Sequence, residues 1–568
     1  REFVWAGVFD LAGTAPREIS TSQAYVNTTD QPLPWLASEN WLVDDYFLCA
    51  MGTYGTRNES GCLDALNPNA VRAWMSLAYW PYADRFPEDM GKTIRGFFFD
   101  EPTMVSAFHT EDVPWTAGLE ESFRQRYGYD CRPLLWTLFT QTDGHEQFRY
   151  DYWRLVTYLF ETSFTGQLSD WCQEHGVILS GHCWPEEPSC QRLMTNSTGD
   201  TFSLQRHLQM PGTDFLYCEN NYAEKAGMCQ DTPGWARNLI YSAKLPSSTA
   251  RYVNVSQTIC ESSGASALDP GCTAPAATKK TYDFLYAMGI TTMNPAFPLD
   301  RTDIRKYVCM LDAGQPYWRH YKLVTDYLNR LGQFNSRGRT DTRIAVLSPL
   351  STRFAFSEIT DDTSIRSEKT PLNRKGDCVE PVLATLDALV RAHLDFELLF
   401  EDVVLDSPVA TSGELLAPNS NFQVIVLPQC YALDDAVWTK LDEFARAGGH
   451  LVAVGASPTL PLKHGPQALE VAPLPTVQLN PADADFASQL VSSLKAMSSP
   501  AYELQGAHNE EILAQARQDG EWQGIFLANG TPGPKTFTFV GKLAEKLRTL
   551  VDPQGDRQEP WTQGQTIT

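Results

Sequence analysis

The feature that most constrains the fold is a short apolar run that stops at two adjacent carboxylates. Gly96 is followed by three phenylalanines and then by Asp100, Glu101 and Pro102. The run is too short for a core helix and lacks polar alternation, which is typical of a strand buried on both faces of a parallel sheet. In α/β barrels, side chains at the carboxyl ends of such strands face the site of the chemistry. The sequence therefore predicts that Asp100 and Glu101 are acid/base groups.

Short apolar runs alternate with helical patterns over most of the first 335 residues. Helices are predicted over Val71–Met90, Tyr150–His175 and Lys279–Met288, and Gly176 is placed to end the second of them. The predicted strands are Phe97–Phe99, Val177–His182, Asp214–Glu219, Arg251–Glu261 and Gly289–Asn294. Because strand–helix units recur every roughly 30 to 40 residues, we expect an α/β fold that starts with a (β/α)8 TIM-type barrel over residues 1–338.

A second α/β pattern begins near Thr340 and predicts an open, doubly wound domain over residues 339–460. The predicted elements are the strands Arg343–Ser348, Phe396–Phe400, Phe422–Pro428 and His450–Gly455 and the helices Val379–His393 and Asp434–Ala447. The proline-rich stretch Pro458–Pro481 is interpreted as a linker. Residues 461–568 are then a linker and a β-rich C-terminal region, with strands expected at Trp522–Leu527 and Lys535–Val540.

Charge and cysteine usage narrow the classes of partner. A net charge of -24 repels phosphate backbones and anionic membrane surfaces, so neither nucleic acid nor membrane is an expected partner. The 13 cysteines form no CxxC pair, which predicts reduced, buried thiols rather than a zinc site. The compartment stays open between the bacterial cytoplasm and the periplasm or extracellular space, and a homo-oligomer is compatible with the sequence.

Several predicted strand ends deliver carboxylates to the same barrel rim. They are Asp100 with Glu101, His182 with Glu186 and Glu187, Glu219 with Asn220 and Asn221, and Glu261. Two carboxylates in different environments are the minimum equipment for cleaving a glycosidic bond, because one protonates the leaving oxygen and the other attacks or activates water. Glu101 follows three apolar rings that would raise its pKa, which suits a general acid. The alternative is that Glu101 caps a helix that begins at Pro102.

The second catalytic carboxylate has two candidates, Glu219 and Glu261. Glu261 ends a late strand, far from Glu101 in sequence, and Glu219 ends an earlier one. Their separation from the acid decides the stereochemistry: about 5 to 5.5 Å implies retention and about 6.5 to 9.5 Å implies inversion. The sequence leaves this choice open.

The segment His182–Pro188 is predicted to contact sugar. Trp184 offers a ring face for stacking, while His182 and Glu187 are placed to bond hydroxyls. The alternative interpretation is that His182 is a buried residue that is satisfied by its protein neighbours. No HExxH or related spacing accompanies the segment, so its signal for a metal is weak.

Several ordered segments resemble bacterial glycoside hydrolases related to family 106, the α-L-rhamnosidases. The segments are Leu63–Val71, Gly91–Pro102, Trp171–Gly176, Ser180–His182, Pro211–Asp214, Lys244–Ala250 and Cys260–Glu261. The resemblance implies a (β/α)8 barrel that hydrolyses terminal glycosides, with Glu101 as acid and Glu187, Glu219 and Glu261 among the site carboxylates. It further implies inversion, a calcium site near the sugar, and an appended amidotransferase-like α/β domain.

Two departures from the family pattern matter. Arg1–Glu39 does not resemble the first barrel strands of the family. Asn294 stands where relatives often carry a histidine after the last strand. Asn294 joins Asp100, His182, Trp184, Glu187, Asn220 and Asn221 as an expected substrate-binding residue.

In the second domain, Cys430 after a strand superficially resembles an amidotransferase nucleophile. No His-x-Glu partner follows it, which favours a structural role.

The function expected from the sequence is an α-L-rhamnosidase-like glycoside hydrolase that needs no cofactor for its chemistry. One alternative is a retaining β-galactosidase-like enzyme. The other is a non-catalytic carbohydrate-binding protein on a degenerate barrel, motivated by the unmatched N-terminal strands and by Asn294.

Overall fold

The structure is a computed structural model, and the part of the chain it describes comprises residues 3–10, 17–21, 41–43, 46–52, 63–105, 113–138, 144–186, 191–215, 237–262, 275–295, 316–357, 376–464, 471–474, 476–531, 533–552, 557–560 and 566–567. Four of the predicted site residues, Glu187, Glu219, Asn220 and Asn221, lie outside this part.

The N-terminal strands form an antiparallel sheet. They are β1 (Phe3–Asp10), β2 (Arg17–Thr21), β3 (Trp41–Val43) and β4 (Tyr46–Gly52), in the order β2-β1-β4-β3. Antiparallel pairing does not fit a TIM barrel, whose strands are all parallel. This segment therefore contributes no barrel strand to the described structure.

A curled parallel sheet of five strands carries the predicted site. Its strands are β5 (Gly96–Phe99), β6 (Ile178–Gly181), β7 (Met210–Phe215), β8 (Ile259–Ser262) and β9 (Thr292–Pro295), which neighbour one another in chain order. The accompanying helices are α1 (Pro68–Ala78), α2 (Trp80–Arg85), α3 (Leu119–Tyr127), α4 (Glu146–Phe160), α5 (Gln167–Glu174), α6 (Gln191–Ser197), α7 (Thr201–Gln205), α8 (Arg237–Tyr252) and α9 (Pro275–Ala287). The sheet is half of a barrel, and the closed (β/α)8 form stays a prediction.

Helix prediction was most accurate where the apolar periodicity is long. α4 and α5 run together through a π-helical turn at Glu161–Gly166, close to the predicted range, and Gly176 follows at a φ of +66° as expected of a C-terminal cap. The predicted helix Val71–Met90 is instead two helices. α1 begins after Asn67, whose side chain accepts from Asn69 N, and Pro81 marks the start of α2.

Two predicted strands are misplaced. The third strand ends at Phe215 rather than beginning at Asp214, because Pro211 and Gly212, which resemble a turn, lie inside it. The fourth begins only at Ile259, because α8 continues through Arg251 and Tyr252. Both errors concern which residues occupy the carboxyl ends of the strands.

The second sheet is open and parallel. It contains β10 (Ile344–Leu347), β11 (Phe396–Leu399), β14 (Val424–Pro428), β16 (His450–Val454) and β18 (Thr476–Leu479), in the order β11-β10-β14-β16-β18. Small pairs accompany it: β12 (Leu415–Ala417) with β13 (Ser420–Phe422), and β15 (Ala432–Asp434) with β17 (Leu460–Leu462). The helices of this region are α10 (Lys322–Asn335), α11 (Leu350–Phe356), α12 (Val379–Arg391), α13 (Glu401–Asp406), α14 (Asp435–Arg446) and α15 (Phe486–Met497).

The predicted doubly wound elements are therefore present, but the predicted linker is wrong in part. Leu460–Leu462 and Thr476–Leu479 are strands within it, and β18 pairs in parallel with β16. The C-terminal strands are β19 (Glu503–Gln505), β20 (Ile512–Asp519), β21 (Trp522–Asn529), β22 (Phe537–Val540), β23 (Thr549–Asp552), β24 (Arg557–Pro560) and β25 (Thr566–Ile567). β21 and β22 lie close to the two strands predicted there.

One apolar core joins the two parallel sheets. The rings of Phe202 and Phe400 stack with centroids 4.2 Å apart, and Tyr252 packs edge-on against Phe400. Beside them, Lys244 Nζ lies 3.1 Å from a carboxylate oxygen of Glu397, with both side chains buried. This contact fixes the curled sheet against the open one. Among the described residues, no helix is long and apolar enough to cross a membrane.

Candidate active site

The carboxyl ends of β5 to β9 converge because the strands run in register. Phe99 pairs with Gly181, and Asp214 pairs with Glu261, which in turn pairs with Asn294. Gly212 permits the close approach of β7 to its neighbours, since a Cβ there would lie 2.4 Å from the Gly181 carbonyl oxygen. Residues that follow these strands therefore meet at one edge of the sheet.

His182 is the centre of the site. Its side chain is 1% exposed, and its Nε2 lies 2.8 Å from Glu261 Oε2 and 3.4 Å from Asp100 Oδ1. Burial opposes a charge on the ring, but the hydrogen bonds to Asp100 and Glu261 and the charges of Glu186 and Asp214 raise the pKa of His182 to about 11. The ring is thus an imidazolium at neutral pH, and it holds carboxylates rather than offering a free nitrogen to a sugar.

Glu101 and Asp214 approach the same ring. A carboxylate oxygen of each lies within 4.8 Å of the other and of a His182 nitrogen. Glu101 has a φ of +46°, which turns the chain sharply at the end of β5, and residues 101–105 are not helical. The alternative interpretation of Glu101 as a helix cap is therefore wrong.

Asp214 is the residue that sequence reasoning missed. Its Oδ1 is buried and has no hydrogen-bond partner in the described structure. Burial raises the pKa of this carboxyl well above its ordinary value; His182 opposes the shift, and Glu261, Glu101 and Glu186 add to it. A buried carboxylate oxygen without a partner is costly, and a hydroxyl group of a bound molecule would satisfy it. The misplaced third strand concealed it, although a strand that ends just after Thr213 and Asp214 carried the signal.

Glu186 is a buried acid that is held by hydrogen bonds from residues next to His182 and Asp214. Its carboxylate accepts from Cys183 N at 2.9 Å and Asp214 N at 3.1 Å, and from the Thr213 hydroxyl. Burial raises the pKa of Glu186 to about 7, although His182 and these hydrogen bonds oppose the shift. Sequence reasoning placed Glu186 in this segment but selected the neighbouring Glu187 as the site residue.

Asp100 and Phe98 form the exposed side of the site. The Asp100 side chain is 66% exposed, and its hydrogen bond to His182 holds its pKa below the ordinary value, against the effect of burial. Phe98 is 39% exposed, with its ring centroid 5.6 Å from that of His182. The prediction that this strand is buried on both faces is therefore wrong for Phe98, which faces the site.

Two further predicted residues lie near these groups. Trp184 is half-buried and is joined to Pro185 by a cis peptide bond, in the segment between His182 and Glu186. Asn294 is exposed and is the strand partner of Glu261. Their contact with sugar stays a prediction.

The described residues do not assemble an oxygen-only cation site here. The two groups that bring three ligand atoms together are Asp100, His182 and Glu261, and Glu101, His182 and Asp214. Both include the imidazole of His182 and offer only two carboxylates each, whereas calcium takes six to eight oxygen ligands. The calcium implied by the family resemblance does not fit these groups.

Comparisons with known proteins support a glycoside hydrolase enzyme. The family model that matches, over residues 54–297, is that of the α-L-rhamnosidases, family 106 of the glycoside hydrolases. A search of curated protein sequences returns no significant match.

Solved structures of glycosidases share the fold. A rhamnosidase from Novosphingobium sp. PP1Y matches with a TM-score of 0.62 and 17% identity, over 92% of this chain and 48% of that enzyme. A β-galactosidase from Halorubrum lacusprofundi matches with a TM-score of 0.51 and 13% identity, over 93% of this chain and 75% of that one. A family 42 β-galactosidase from G. stearothermophilus matches with a TM-score of 0.50 and 11% identity, over 78% of this chain and 73% of that enzyme. The chain thus spans about half the length of the Novosphingobium enzyme.

Proposed function

We propose that this protein hydrolyses terminal glycosidic bonds with α-L-rhamnosidase-like specificity. The observation that carries the proposal is the group of four carboxylates, Asp100, Glu101, Asp214 and Glu261, around one buried imidazolium. An oxocarbenium-like transition state needs a proton donor on one side and an anionic carboxylate on the other. Both kinds of group lie within a few ångströms of His182.

In the proposed reaction, Glu101 donates its proton to the leaving glycosidic oxygen as the bond to the anomeric carbon breaks. Glu261 is the partner carboxylate, oriented by the hydrogen bond from His182 Nε2 at 2.8 Å. In an inverting reaction, Glu261 takes a proton from the attacking water, and Glu101 is later reprotonated from solvent. Trp184 and Asn294 contact the sugar, and Asp214, with its unpartnered oxygen, accepts a sugar hydroxyl or shares the proton of Glu101.

A second candidate is a retaining, β-galactosidase-like reaction. The specific observation in its favour is that two other carboxylate pairs, Asp100 with Glu261 and Glu101 with Asp214, each bring their nearest oxygens within 4.8 Å, so that one member of a pair would be the acid and the other the nucleophile. Retaining enzymes hold their carboxyl groups about 5 to 5.5 Å apart, whereas inverting ones leave about 6.5 to 9.5 Å for a water molecule. Proton NMR of the first-formed anomer separates the two reactions.

The test is the Glu101→Gln variant on a panel of nitrophenyl and unactivated glycosides, with and without a chelator. The variant keeps the size of the side chain but has no proton to donate, so hydrolysis of unactivated glycosides should fall by about 10²- to 10⁴-fold. Glu443→Gln, on a side chain 56% exposed on α14, is the control and should retain activity. Unchanged turnover in Glu101→Gln rejects the assignment, and sugar binding by the wild type without any turnover supports a binding protein instead.

A further inference from the structure

The proposed reaction leaves one buried acid of the site without a role. Glu186 is 3% exposed and lies in the segment that follows β6, shortly after His182. It belongs to neither group of three side chains whose ligand atoms lie within 4.8 Å of one another at this edge of the sheet. The hydrogen bonds of its carboxylate show what it can do there.

Four protein donors surround the Glu186 carboxylate. Its Oε1 accepts from Cys183 N at 2.9 Å and from Gln205 Nε2 at 3.4 Å. Its Oε2 accepts from Asp214 N at 3.1 Å and from the Thr213 hydroxyl. Backbone and amide N–H groups only donate, so both oxygens must accept, as they do in an ionised carboxylate. We call this carboxylate with its four donors the Glu186 bridge.

The Glu186 bridge continues the contact between β6 and β7 where their ladder ends. The described ladder between these strands has two residue pairs, of which the second joins Gly181 to Pro211. Cys183 and Asp214 lie beyond that pair, and each donates its backbone N–H to a different oxygen of Glu186. The bridge therefore fixes the distance between the carboxyl ends of the two strands.

The two strand ends that the bridge joins carry groups of the site. The ring of His182, the residue before Cys183, has a nitrogen within 4.8 Å of carboxylate oxygens of Glu101 and Asp214. A shift of the end of β7 relative to β6 would move Asp214 away from that ring and from the acid. Misplacing a reacting group by about 1 Å can lower a rate by about 10²-fold.

We propose that Glu186 is a positioning residue, whose carboxylate holds His182 and Asp214 at the separation that the reaction at Glu101 requires. The inference rests on the proposed function for the reaction and on the hydrogen bonds alone for the bridge. Glu186 itself does not bind the sugar in this scheme, because its oxygens already accept from four donors. Glutamine cannot replace it, because the NH2 group of the amide would point at two of those donors.

The first test is the kcat of Glu186→Gln on the best glycoside of the panel. The amide loses two of the four hydrogen bonds, so kcat should fall about 10- to 100-fold while KM changes by less than about twofold. Glu161→Gln is the matched control, since Glu161 is also a buried acid and pairs with Arg206 at 2.5 Å and with His207 at 2.8 Å. It should keep kcat within about twofold. Equal losses in the two variants, or an unchanged kcat in Glu186→Gln, overturn the inference.

The pH profile separates positioning from a purely structural role. Burial raises the pKa of Glu186 to about 7, and only the ionised form accepts all four hydrogen bonds. The ratio of the wild-type kcat to that of Glu186→Gln should therefore be largest above about pH 8 and approach one near about pH 5.5. A ratio that stays constant over this range overturns the inference.

The other titratable groups that face Glu186 do not account for such a change in the ratio. They are the ring of His182, the thiols of Cys183 and Cys260, and the carboxyl of Asp214. The pKa of His182 is raised to about 11, and burial raises the pKa of both thiols well above the ordinary value, so these groups keep their charge states between pH 5.5 and pH 8. Asp214 is present in both proteins.

Thr213→Val is a milder variant, which tests the bridge even if Glu186→Gln does not fold. It removes the hydroxyl donor of the bridge and keeps the shape of the side chain. Its kcat should fall about three- to tenfold, the effect of losing one hydrogen bond. An unchanged kcat in Thr213→Val overturns the inference.

A measurement without substrate distinguishes failure of this inference from failure of the proposed function. The NMR signals of the His182 ring, assigned in isotope-labelled protein by their loss in His182→Gln, should shift in Glu186→Gln and stay in place in Glu161→Gln. If no glycoside is hydrolysed and this shift is still seen, the proposed function fails and the Glu186 bridge stands. Signals that stay in place in Glu186→Gln overturn the inference.

Discussion

Both parallel sheets carry acidic residues near the carboxyl ends of their strands, but these acids differ in how fully the protein satisfies their hydrogen bonds. At the curled sheet, Asp214 Oδ1 is buried without a partner, and several carboxylates share one imidazolium. At the open sheet, Glu401 follows β11 and accepts from both Ser351 N at 2.8 Å and Ser351 Oγ at 2.5 Å. Asp434, at the end of β15 in the separate β15–β17 pair, is likewise satisfied, by Tyr150 and His464.

The difference shows that an acidic residue at the end of a strand is not by itself evidence of a catalytic role. Parallel sheets bring such residues together wherever they occur. What distinguishes the curled sheet is that its own residues leave hydrogen-bonding capacity unused, which a substrate can take up. At the open sheet and the β15–β17 pair, a serine, a tyrosine and a histidine already use that capacity, so these acids are satisfied by the protein itself.

The largest expected effect is on turnover. Glu261→Gln removes the carboxylate that we propose as the catalytic partner of Glu101 and should lower kcat by about 10²- to 10⁴-fold. Glu401→Gln, an equally buried strand-end acid at the other sheet, should leave kcat within about twofold, because it contacts only Ser351 and its neighbours. Both rates are measured on the best glycoside of the panel. Comparable losses in the two variants would contradict the distinction between the sheets.

The next effect is on alkaline stability. The pKa of His182 is raised from 6.5 to about 11, so the charged ring stabilises the folded state fully below pH 6.5, and this contribution is lost as the pH rises toward 11. The difference in unfolding free energy between wild type and His182→Gln should therefore shrink by on the order of a few kcal/mol between pH 7 and pH 10. Urea unfolding at each pH measures it.

His393 provides the control for that measurement. It is also buried, but burial lowers its pKa, so it is neutral throughout the alkaline range. The difference between wild type and His393→Gln should stay constant from pH 7 to pH 10. A difference for His182→Gln that is equally constant would show that its carboxylate partners do not hold it charged.

Sequence reasoning succeeded where the signal is local. β10, β14 and β16 begin and end within two residues of their predicted bounds, because each is a short apolar run between polar segments. The same signal identified Glu101, His182 and Glu261 as strand-end residues. It failed at β8, where Val253 and Val255 suggested a strand although α8 extends to Tyr252.

The remaining part of the site depends on distances between segments far apart in the chain. Asp214 and Glu101 are separated by more than 100 residues, and only the register of β5 to β8 brings their oxygens within 4.8 Å. The raised pKa of His182 also depends on this strand register, since its two carboxylate partners lie at the ends of β5 and β8. No local pattern encodes these contacts, so a rim of polar residues was predictable and its arrangement was not.

A smaller effect, on the pH dependence of folding stability, is expected from Glu401 at the open sheet. Burial raises its pKa from 4.5 to about 8, although Ser351 opposes the shift. Because the folded state then binds the proton more tightly, stability is greatest below pH 4.5 and falls as the pH rises toward 8. Glu401→Gln removes this dependence, so the unfolding free energy of the variant should rise relative to that of wild type by on the order of a few kcal/mol between pH 5 and pH 8.5.

The control for Glu401 is Glu397→Gln, which alters a buried acid of β11, the strand just before Glu401. Burial opposes ionisation there, but Lys244 and Arg251 lower the pKa of Glu397 to about 2. Its contribution to stability is complete above pH 4.5 and is lost only as the pH falls toward 2, so the effect of Glu397→Gln should be constant between pH 5 and pH 8.5. A Glu401→Gln effect that is equally constant would mean that Glu401 is ionised at neutral pH, like Glu397.

The smallest effect, on thiol labelling and on kcat, is expected at Cys430, which in sequence resembles an amidotransferase nucleophile. The left-handed turn after β14 is taken by Gln429, with a φ of +48°, so the thiol of the next residue points into the core and is 0% exposed. Burial raises the pKa of Cys430 well above its ordinary value, which removes the thiolate that a nucleophile needs. Iodoacetamide at pH 8 should leave Cys430 unlabelled in the folded protein and label it in urea, as peptide mapping by mass spectrometry would show, and Cys430→Ala should change kcat by less than about twofold. Rapid labelling of the folded protein would mean that the edge of the open sheet also carries a reactive group, and the contrast between the two sheets would then be lost.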